Sequence, residues 1–323
     1  MRAVVFEKYG SADVVSVAER PTPTPAAGQM LVRVAAAPVT AADVAARSGT
    51  PWFARLYFGL TRPKWPVLGS SYGGVVEAIG EGVTEFSVGD EVWGATGQNL
   101  GAHAEFVLIQ ADGVIARRPA GLDAIDAAAI VDGALTALPF LRDGARLRAG
   151  QSILITGASG GVGSVAVQLA VHLGAIVTAH TSTANIELVR SLGATDVIDY
   201  TVEDYTRSGR TWDVVLDAAG RSSFGAARRA LSPTGIYLST VPAAGVLLGM
   251  LFTRRSRGRR AGILFTGLRP VSDVRPELAS IGAVIEAGGL RAVIDHSVAL
   301  DDAAGAHAYV ERGHKKGVVL LTM

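Results

Sequence analysis

The stretch Gln151-Ser-Ile-Leu-Ile-Thr-Gly-Ala-Ser-Gly-Gly-Val-Gly163 constrains this chain more than any other. A short apolar run, Ile153 to Ile155, stops at a glycine cluster. An apolar pattern of helical period follows: Val162, Val165, Ala166, Leu169, Ala170 and Leu173. This order predicts a buried parallel strand, a tight turn and a helix docked on a sheet. Gly157 and Gly160 allow the turn. A side chain at Gly161 would hold a phosphate away from the backbone, and one at Gly163 would push the helix off the strand. The helix start offers free N–H groups and a positive dipole end to a pyrophosphate. The segment therefore predicts a dinucleotide site.

Other motifs share these letters. Gly157-Ala158-Ser159-Gly160-Gly161 satisfies the G-x-S-x-G pattern of a hydrolase nucleophile elbow, and Asp217 and His296 follow in suitable chain order. A Walker loop fails because no Lys-Ser/Thr pair follows at its spacing. The short-chain dehydrogenase fingerprint overlaps Thr156 to Gly163, but that family needs a Tyr with a Lys four residues later. The lysines are Lys8, Lys64, Lys315 and Lys316, and none has a Tyr at that distance.

Context favours the dinucleotide. Ala175 to Ala179 reads as a second strand. A carboxylate at its end would bind a ribose 2′-OH and select NAD. The chain instead gives His180, Thr181, Ser182, Thr183 and Asn185, hydrogen-bonding groups suited to a 2′-phosphate. NADPH is the expected cofactor, while Ser182 or Thr183 can also cap a helix starting near Asn185. Strands at Asp196 to Asp199, Trp212 to Leu216 and Gly235 to Thr240 follow at βαβ spacing, so this half is predicted to be doubly wound.

A length of 323 residues allows two domains. Hydrophobic content of 49% and charged content of 18% suit a soluble globular enzyme, and a net charge of +1 argues against a polyanionic partner. There is no cysteine, which excludes disulfides and any Cys-ligated zinc. The N-terminus lacks the apolar core of a signal peptide. The run Val241 to Phe252 is shorter than the ~20 residues that span a bilayer. The expectation is a cytoplasmic protein with a small-molecule substrate and neither nucleic acid nor membrane as partner. Arg254, Arg255, Arg257, Arg259 and Arg260 invite a nucleic-acid or membrane-surface reading, and a solvated loop is the simpler one.

The first 120 residues have a different texture. Short strands at Val4 to Phe6, Met30 to Val34, Gly74 to Ile79, Glu91 to Trp93 and Glu105 to Ile109 are punctuated by glycine, which suggests a β-barrel-like domain. Residues 121–265 then form the dinucleotide domain. Residues 266–323 return to strand signals at Val293-Ile294 and Val318 to Leu321 and complete the first domain.

Gly28 to Val34, Pro66 to Ser70, Gly74 to Val83, Val88 to Gly94 and Gly101 to Val107 resemble a GroES-like catalytic domain. Gly157 to Gly163, Leu188 to Tyr200 and Asp213 to Gly220 resemble the Rossmann half of the same proteins. Together they resemble the medium-chain dehydrogenase/reductase superfamily, in its zinc-free quinone oxidoreductase branch. The implied fold is α/β: a GroES-like β-barrel domain plus a Rossmann domain with a doubly wound parallel sheet.

The resemblance implies zinc-independent hydride transfer from NADPH to a quinone or to the C=C of an α,β-unsaturated carbonyl. Alternatives within the superfamily are an enoyl-thioester reductase and a non-catalytic, crystallin-like or RNA-binding NADPH binder. A homodimer is expected. Zinc-dependent relatives use soft ligands that Thr40-Ala-Ala-Asp43 and Gly69-Ser70-Ser71 do not offer, and His103 with Glu105 is better read as packed structure.

Carried over by position, Thr40 stands where the family usually has Asn, and Ser71 where Asp is common, with Tyr72 after it. Thr40, Tyr72 and Asp132 are the candidate catalytic residues. Asp132 falls where relatives carry an apolar residue, so its carboxylate is either an acid/base group or a solvated helix residue. Tyr57, in an aromatic segment with Trp52, Phe53 and Phe58, and Thr136 are candidate substrate contacts. Thr136 is expected beside the nicotinamide. Cofactor contacts are expected from Ala158, Ser159, Gly160, Gly161, Val162, Gly163, Thr181, Ser182, Thr183, Asn185, Tyr200, Ala219, Gly220, Thr240, Val241, Phe265, Gly267 and Lys316. Ala184 replaces a basic residue common in the adenine-side loop.

Overall fold

The structure is a computed structural model that describes the backbone of residues 1–323 and the side chains of all but Phe53 and Gln98. Phe53, grouped above with Tyr57, thus has its side chain outside the described residues. In chain order the elements open with β1 (Arg2–Val5), β2 (Ser16–Glu19), β3 (Gln29–Val39), α1 (Ala41–Ser48) and α2 (Arg55–Phe58). Next come β4 (Ser71–Ile79), β5 (Glu91–Ala95), β6 (Phe106–Gln110), β7 (Ile115–Arg117) and α3 (Ala124–Pro139). The glycine cluster lies between β8 (Ser152–Thr156) and α4 (Gly161–His172), followed by β9 (Ile176–Thr181), α5 (Ile186–Ser191) and β10 (Asp196–Asp199). The chain continues through β11 (Trp212–Asp217), α6 (Phe224–Ala227), β12 (Leu231–Ser239), α7 (Ala244–Thr253) and β13 (Arg260–Gly262). It ends with α8 (Val271–Glu286), β14 (Ile294–Ala299), α9 (Ala303–Glu311) and β15 (Val318–Thr322).

Two compact units share these elements. One comprises Met1–Asp132, Gly267–Glu286 and Ala292–Met323, and the other Gly133–Thr266 with Ala287–Arg291. The first unit is built on β3. One edge of β3 pairs with β4. The other edge pairs with β6 over Gln29 to Arg33 and with β15 over Ala36 to Val39. Changing partners halfway along a strand bends the sheet, as closure toward a barrel requires. Met30, Val32, Val34, Tyr72, Val76, Val92 and Ile115 fill the space inside the bend.

The second unit is a six-stranded sheet in the order β10-β9-β8-β11-β12-β13, and all its pairings are parallel. Ile153 to Ile155 of β8 and Val214 to Leu216 of β11 are buried without alternation, because helices cover both faces of a parallel sheet. Successive strands run outward from β8 in one direction and, from β11, in the other. That reversal is the switch point where open α/β sheets bind ligands. The helical stretch Ala124–Gly144 is long and apolar enough to cross a membrane, but most of it is buried inside the protein, as suits a core helix.

Candidate functional site

The glycine-rich turn has the geometry its spacing demands. Gly157 has φ +67, in the left-handed region that glycine adopts freely. A Cβ on Gly163 would lie 2.0 Å from the Gly157 carbonyl oxygen and 2.9 Å from Ala158 Cα, so only hydrogen fits between helix and strand. A further close approach was not legible in the sequence: a Cβ on Gly133 of α3 would meet the Gly161 oxygen at 2.7 Å. Gly160 caps α4 and has no side chain to occupy the first N–H groups. Those donors and the helix dipole form a cradle that fits a pyrophosphate.

Ser159 is not placed as a nucleophile. Its Oγ accepts from Thr181 Oγ1 at 3.0 Å and from Asn185 Nδ2 at 3.2 Å. Asn185 also donates to Ser182 Oγ at 3.2 Å. The ends of β8 and β9 therefore gather Ala158, Ser159, Thr181, Ser182 and Asn185 into one polar corner. The hydrolase reading ends here, because the partners of this serine orient it without activating it.

Thr183 points elsewhere. Its hydroxyl donates to Asp199 Oδ2 at 2.5 Å and lies 3.1 Å from Thr201 Oγ1. The sequence shows no acid following β9, but parallel pairing of β10 with β9 sets Asp199 opposite Thr181. Hydrogen bonds from Thr183 and Thr201 hold its carboxyl below the usual carboxylate range, so it is ionised. Burial lowers the His180 pKa, favouring the neutral ring. That ring sits 5.5 Å from Tyr200 and 5.2 Å from Tyr205, between centroids. Tyr200 is half exposed beside this corner.

Asp217 organises the other side of the switch point. Fully buried at the end of β11, it takes Thr156 Oγ1 at 2.8 Å and the N–H groups of Ala219 and Gly220 at 3.2 and 2.9 Å on Oδ1. Oδ2 takes Ser222 N at 2.8 Å and Tyr237 Oη at 3.0 Å. Its carbonyl accepts from Thr240 N at 3.0 Å. One carboxylate thus fixes the turn carrying Ala219 and Gly220 to the ends of β8 and β12, next to Thr240 and Val241. Phe265 lies past β13 with half its surface exposed. Gly267 and Lys316 belong to the other unit.

In the first unit, Thr40 is the N-cap of α1. Its hydroxyl donates to Asp43 Oδ2 at 2.6 Å, and Asp43 N donates back at 3.2 Å. Asp43 Oδ1 accepts from Gly69 N at 3.1 Å. The single hydroxyl hydrogen of Thr40 is thereby committed to a buried carboxylate, which corrects its expected place among the catalytic residues. Tyr72 is corrected as well: it has 0% exposure and its side chain belongs to the core inside the bent sheet, so its phenol offers no surface to a ligand. Ser71 beside it is buried too. Tyr57 keeps 41% exposure and packs against Phe58 and Trp65, at ring-centroid distances of 5.1 and 5.4 Å.

Asp132 keeps part of its surface accessible, yet protein atoms crowd its carboxyl. Burial first, then the charge of Asp43, pushes its pKa up to about 6, while Lys315 pulls the other way. Thr136 follows one turn later on α3, half-buried. The sequence reading overlooked Asp43 and Lys315. The capping-box spacing Thr40-x-x-Asp43 was the available signal for the first. Only the fold brings Lys315 close.

A bent GroES-like sheet joined to a parallel dinucleotide-binding sheet defines a two-domain, nicotinamide-dependent dehydrogenase of the α/β class. Comparisons carry this further. Residues 26–119 match the model of the alcohol dehydrogenase GroES-like domain, and residues 192–321 match that of the zinc-binding dehydrogenase. The chain is 31% identical to the quinone oxidoreductase of Pseudomonas aeruginosa over 99% of both chains. It is 32% identical to the mouse mitochondrial NAD(P)H oxidoreductase RTN4IP1, over 100% of this chain and 89% of that protein. Escherichia coli quinone oxidoreductase complexed with NADPH superposes with a TM-score of 0.87 at 26% identity, over 100% of both chains. The chain belongs to the medium-chain dehydrogenase/reductase superfamily, among its quinone oxidoreductase-like members.

Proposed function

We propose that this protein is a zinc-independent, NADPH-dependent oxidoreductase that reduces a quinone or the C=C of an α,β-unsaturated carbonyl. The observation that carries the reading is the uncapped glycine cradle at the start of α4. It lies in a chain matched end to end by quinone oxidoreductases. An E. coli relative is known in complex with NADPH, and another relative is an NADPH-dependent alkenal/one oxidoreductase. When bound, NADPH supplies the hydride, and the protein supplies position and polarity.

The residues divide that work. Gly160, Gly161, Val162 and Gly163 hold the pyrophosphate. Ser182 and Asn185 meet the 2′-phosphate, and Tyr200 lies along the adenine. Ala219, Gly220, Thr240 and Val241 line the path toward the nicotinamide, with Thr136 beside the ring. Asp132 is the candidate acid/base group of the first unit. The committed hydroxyl of Thr40 and the buried phenol of Tyr72 take no direct part. Zinc independence rests on the absence of cysteine. Among the described residues no His, Asp and Glu side chains gather in a group fit for a metal.

The protein is further read as a cytoplasmic homodimer. Leu248, Leu251 and Phe252 of α7 are 54%, 59% and 80% exposed, beside the open sheet edge at β13. Apolar exposure next to an unpaired strand favours a second copy there, and light scattering of the purified protein reads its mass. The function is tested by NADPH oxidation against a panel of quinones, enones and enoyl thioesters. Turnover above background with a quinone or enone is expected. Tight NADPH binding without turnover of any acceptor would make the protein a cofactor binder instead.

A further inference from the structure

The net charge of +1 hides an uneven distribution. Residues 218–266, all in the second unit, hold eight arginines and no Asp, Glu or Lys. The rest of the chain is therefore net acidic. Five of the eight, Arg254, Arg255, Arg257, Arg259 and Arg260, directly follow α7.

Local structure draws these arginines into one cluster. The Thr253 hydroxyl donates to the Gly249 carbonyl of α7 at 2.7 Å and accepts from Ala261 N of β13 at 3.0 Å. The two ends of the arginine loop are thereby tied together. Inside it, Ser256 N donates to the Thr253 carbonyl at 2.9 Å and Gly258 N to Ser256 Oγ at 3.0 Å. Arg259 Nε donates to the Leu231 carbonyl at 2.9 Å, which lays the loop against the turn of Arg228 and Arg229. α6 leads into that turn and packs on α7, since a Cβ on Gly249 would lie 3.1 Å from the Phe224 ring.

Elsewhere exposed arginines meet carboxylates: Arg33 with Glu77, Arg117 with Asp90, Arg190 with Glu187 and Arg210 with Asp196. Here they do not. Among the described residues Arg228, Arg229, Arg254, Arg255, Arg257 and Arg260 form no ion pair, and all six are exposed. Like charges crowded without counter-ions repel one another, and an anion from outside the chain relieves that repulsion. An apolar side chain stands beside them. Phe252, in the last turn of α7, is 80% exposed.

We propose that this face of the second unit docks on an anionic lipid bilayer. The arginines meet the lipid phosphates, and Phe252 enters the boundary between headgroups and acyl chains. A nucleic acid fits less well. Single strands are held by stacking on aromatic rings, and base edges are read by amide side chains as well as by arginine. Residues 253–262 contain no aromatic ring, no Asn and no Gln. The net acidic remainder of the chain is repelled by the same surface, which orients the docked protein.

β13 begins at Arg260, so the second copy read at that edge sets another arginine cluster near the first. That copy keeps Leu248 and Leu251 for its apolar contact. Anionic headgroups offset the repulsion between the clusters, so docking and dimerisation favour one another.

Co-sedimentation of the full chain with vesicles tests the proposal. Vesicles of phosphatidylcholine with one third phosphatidylglycerol should bind the protein, and phosphatidylcholine alone should not. Binding should be lost at about 1 M salt, where charges are screened beyond about 3 Å. Each basic side chain at an anionic surface strengthens binding about fivefold. Arg254→Gln, Arg255→Gln and Arg257→Gln together should then weaken it about a hundredfold, and lysine at the same three positions should keep it. Arg33→Gln, Arg190→Gln and Arg207→Gln together remove the same charge elsewhere and should leave binding within about threefold of the parent. Brominated acyl chains should quench the emission that Phe252→Trp adds.

An equal loss in the two triple glutamine variants overturns the proposal, because net charge alone would then drive adsorption. So does equal sedimentation with both kinds of vesicle, or no quenching of the added tryptophan. Retention on mixed-sequence single-stranded RNA in preference to anionic vesicles, at the same salt, overturns it too. The experiment needs no acceptor, so the reductase reading stands apart from its result.

Discussion

Truncating Asp217 to alanine should cost the dinucleotide unit much of its stability. The carboxylate is 0% exposed and accepts five hydrogen bonds, from Thr156, Tyr237 and the amides of Ala219, Gly220 and Ser222. After truncation the three amides, which sit in a loop, can turn to water. The hydroxyls of Thr156 and Tyr237 cannot, since those residues are 5% and 1% exposed. A buried donor left unpaired costs about 1–3 kcal/mol, so the two together cost about 2–6 kcal/mol.

That loss is a large fraction of the ~5–15 kcal/mol that stabilises a typical folded protein. Asp217→Asn keeps one acceptor oxygen in place and should fall between parent and alanine variant. Urea unfolding followed through the buried Trp212 reads the loss in this unit. NADPH titration reads the second consequence, because the turn of Ala219 and Gly220 loses its anchor and affinity should weaken. An alanine variant within about 1 kcal/mol of the parent, with unchanged NADPH affinity, would refute the reasoning.

Gly163→Ala places a methyl group against the Gly157 carbonyl. It should destabilise the protein by about 1–3 kcal/mol and weaken NADPH binding, and equal melting and affinity would show that the helix can shift freely. Ser182→Asp should swing cofactor preference toward NADH by at least tenfold through repulsion of the 2′-phosphate. Fluorescence titration with both cofactors checks it, and an unchanged ratio places the phosphate elsewhere. Exhaustive chelation should leave turnover intact and metal analysis should find no stoichiometric zinc, whereas one zinc per chain would overturn the zinc-independent reading.

Much of the fold was legible in the order of residues, for local reasons. The apolar run before the glycine cluster is β8, and the helical period after it is α4. The strand read at Asp196 to Asp199 matches β10, because a short β-branched run between turn signals leaves little choice. Gly157 and Gly163 were readable too. Glycine is required there by backbone approach within seven residues, which sequence spacing alone encodes.

What the sequence could not decide depends on contacts between distant segments. Parallel pairing put Asp199 beside Thr183, although β10 and β9 are separated by a helix. Strand alternation turned Tyr72 into the core, where its position in a motif had suggested chemistry. Thr40 stood as a candidate catalytic residue by its position in a motif, but its hydroxyl is taken up by Asp43. Asp132 stood out in the sequence as a carboxylate in an apolar helix. Burial and the charge of Asp43 raise its proton affinity and Lys315 lowers it, a balance of groups that only the fold brings together. Turns and helices follow from neighbours along the chain, so spacing reveals them. Electrostatics follows from distance in space, and only the packed sheet sets that.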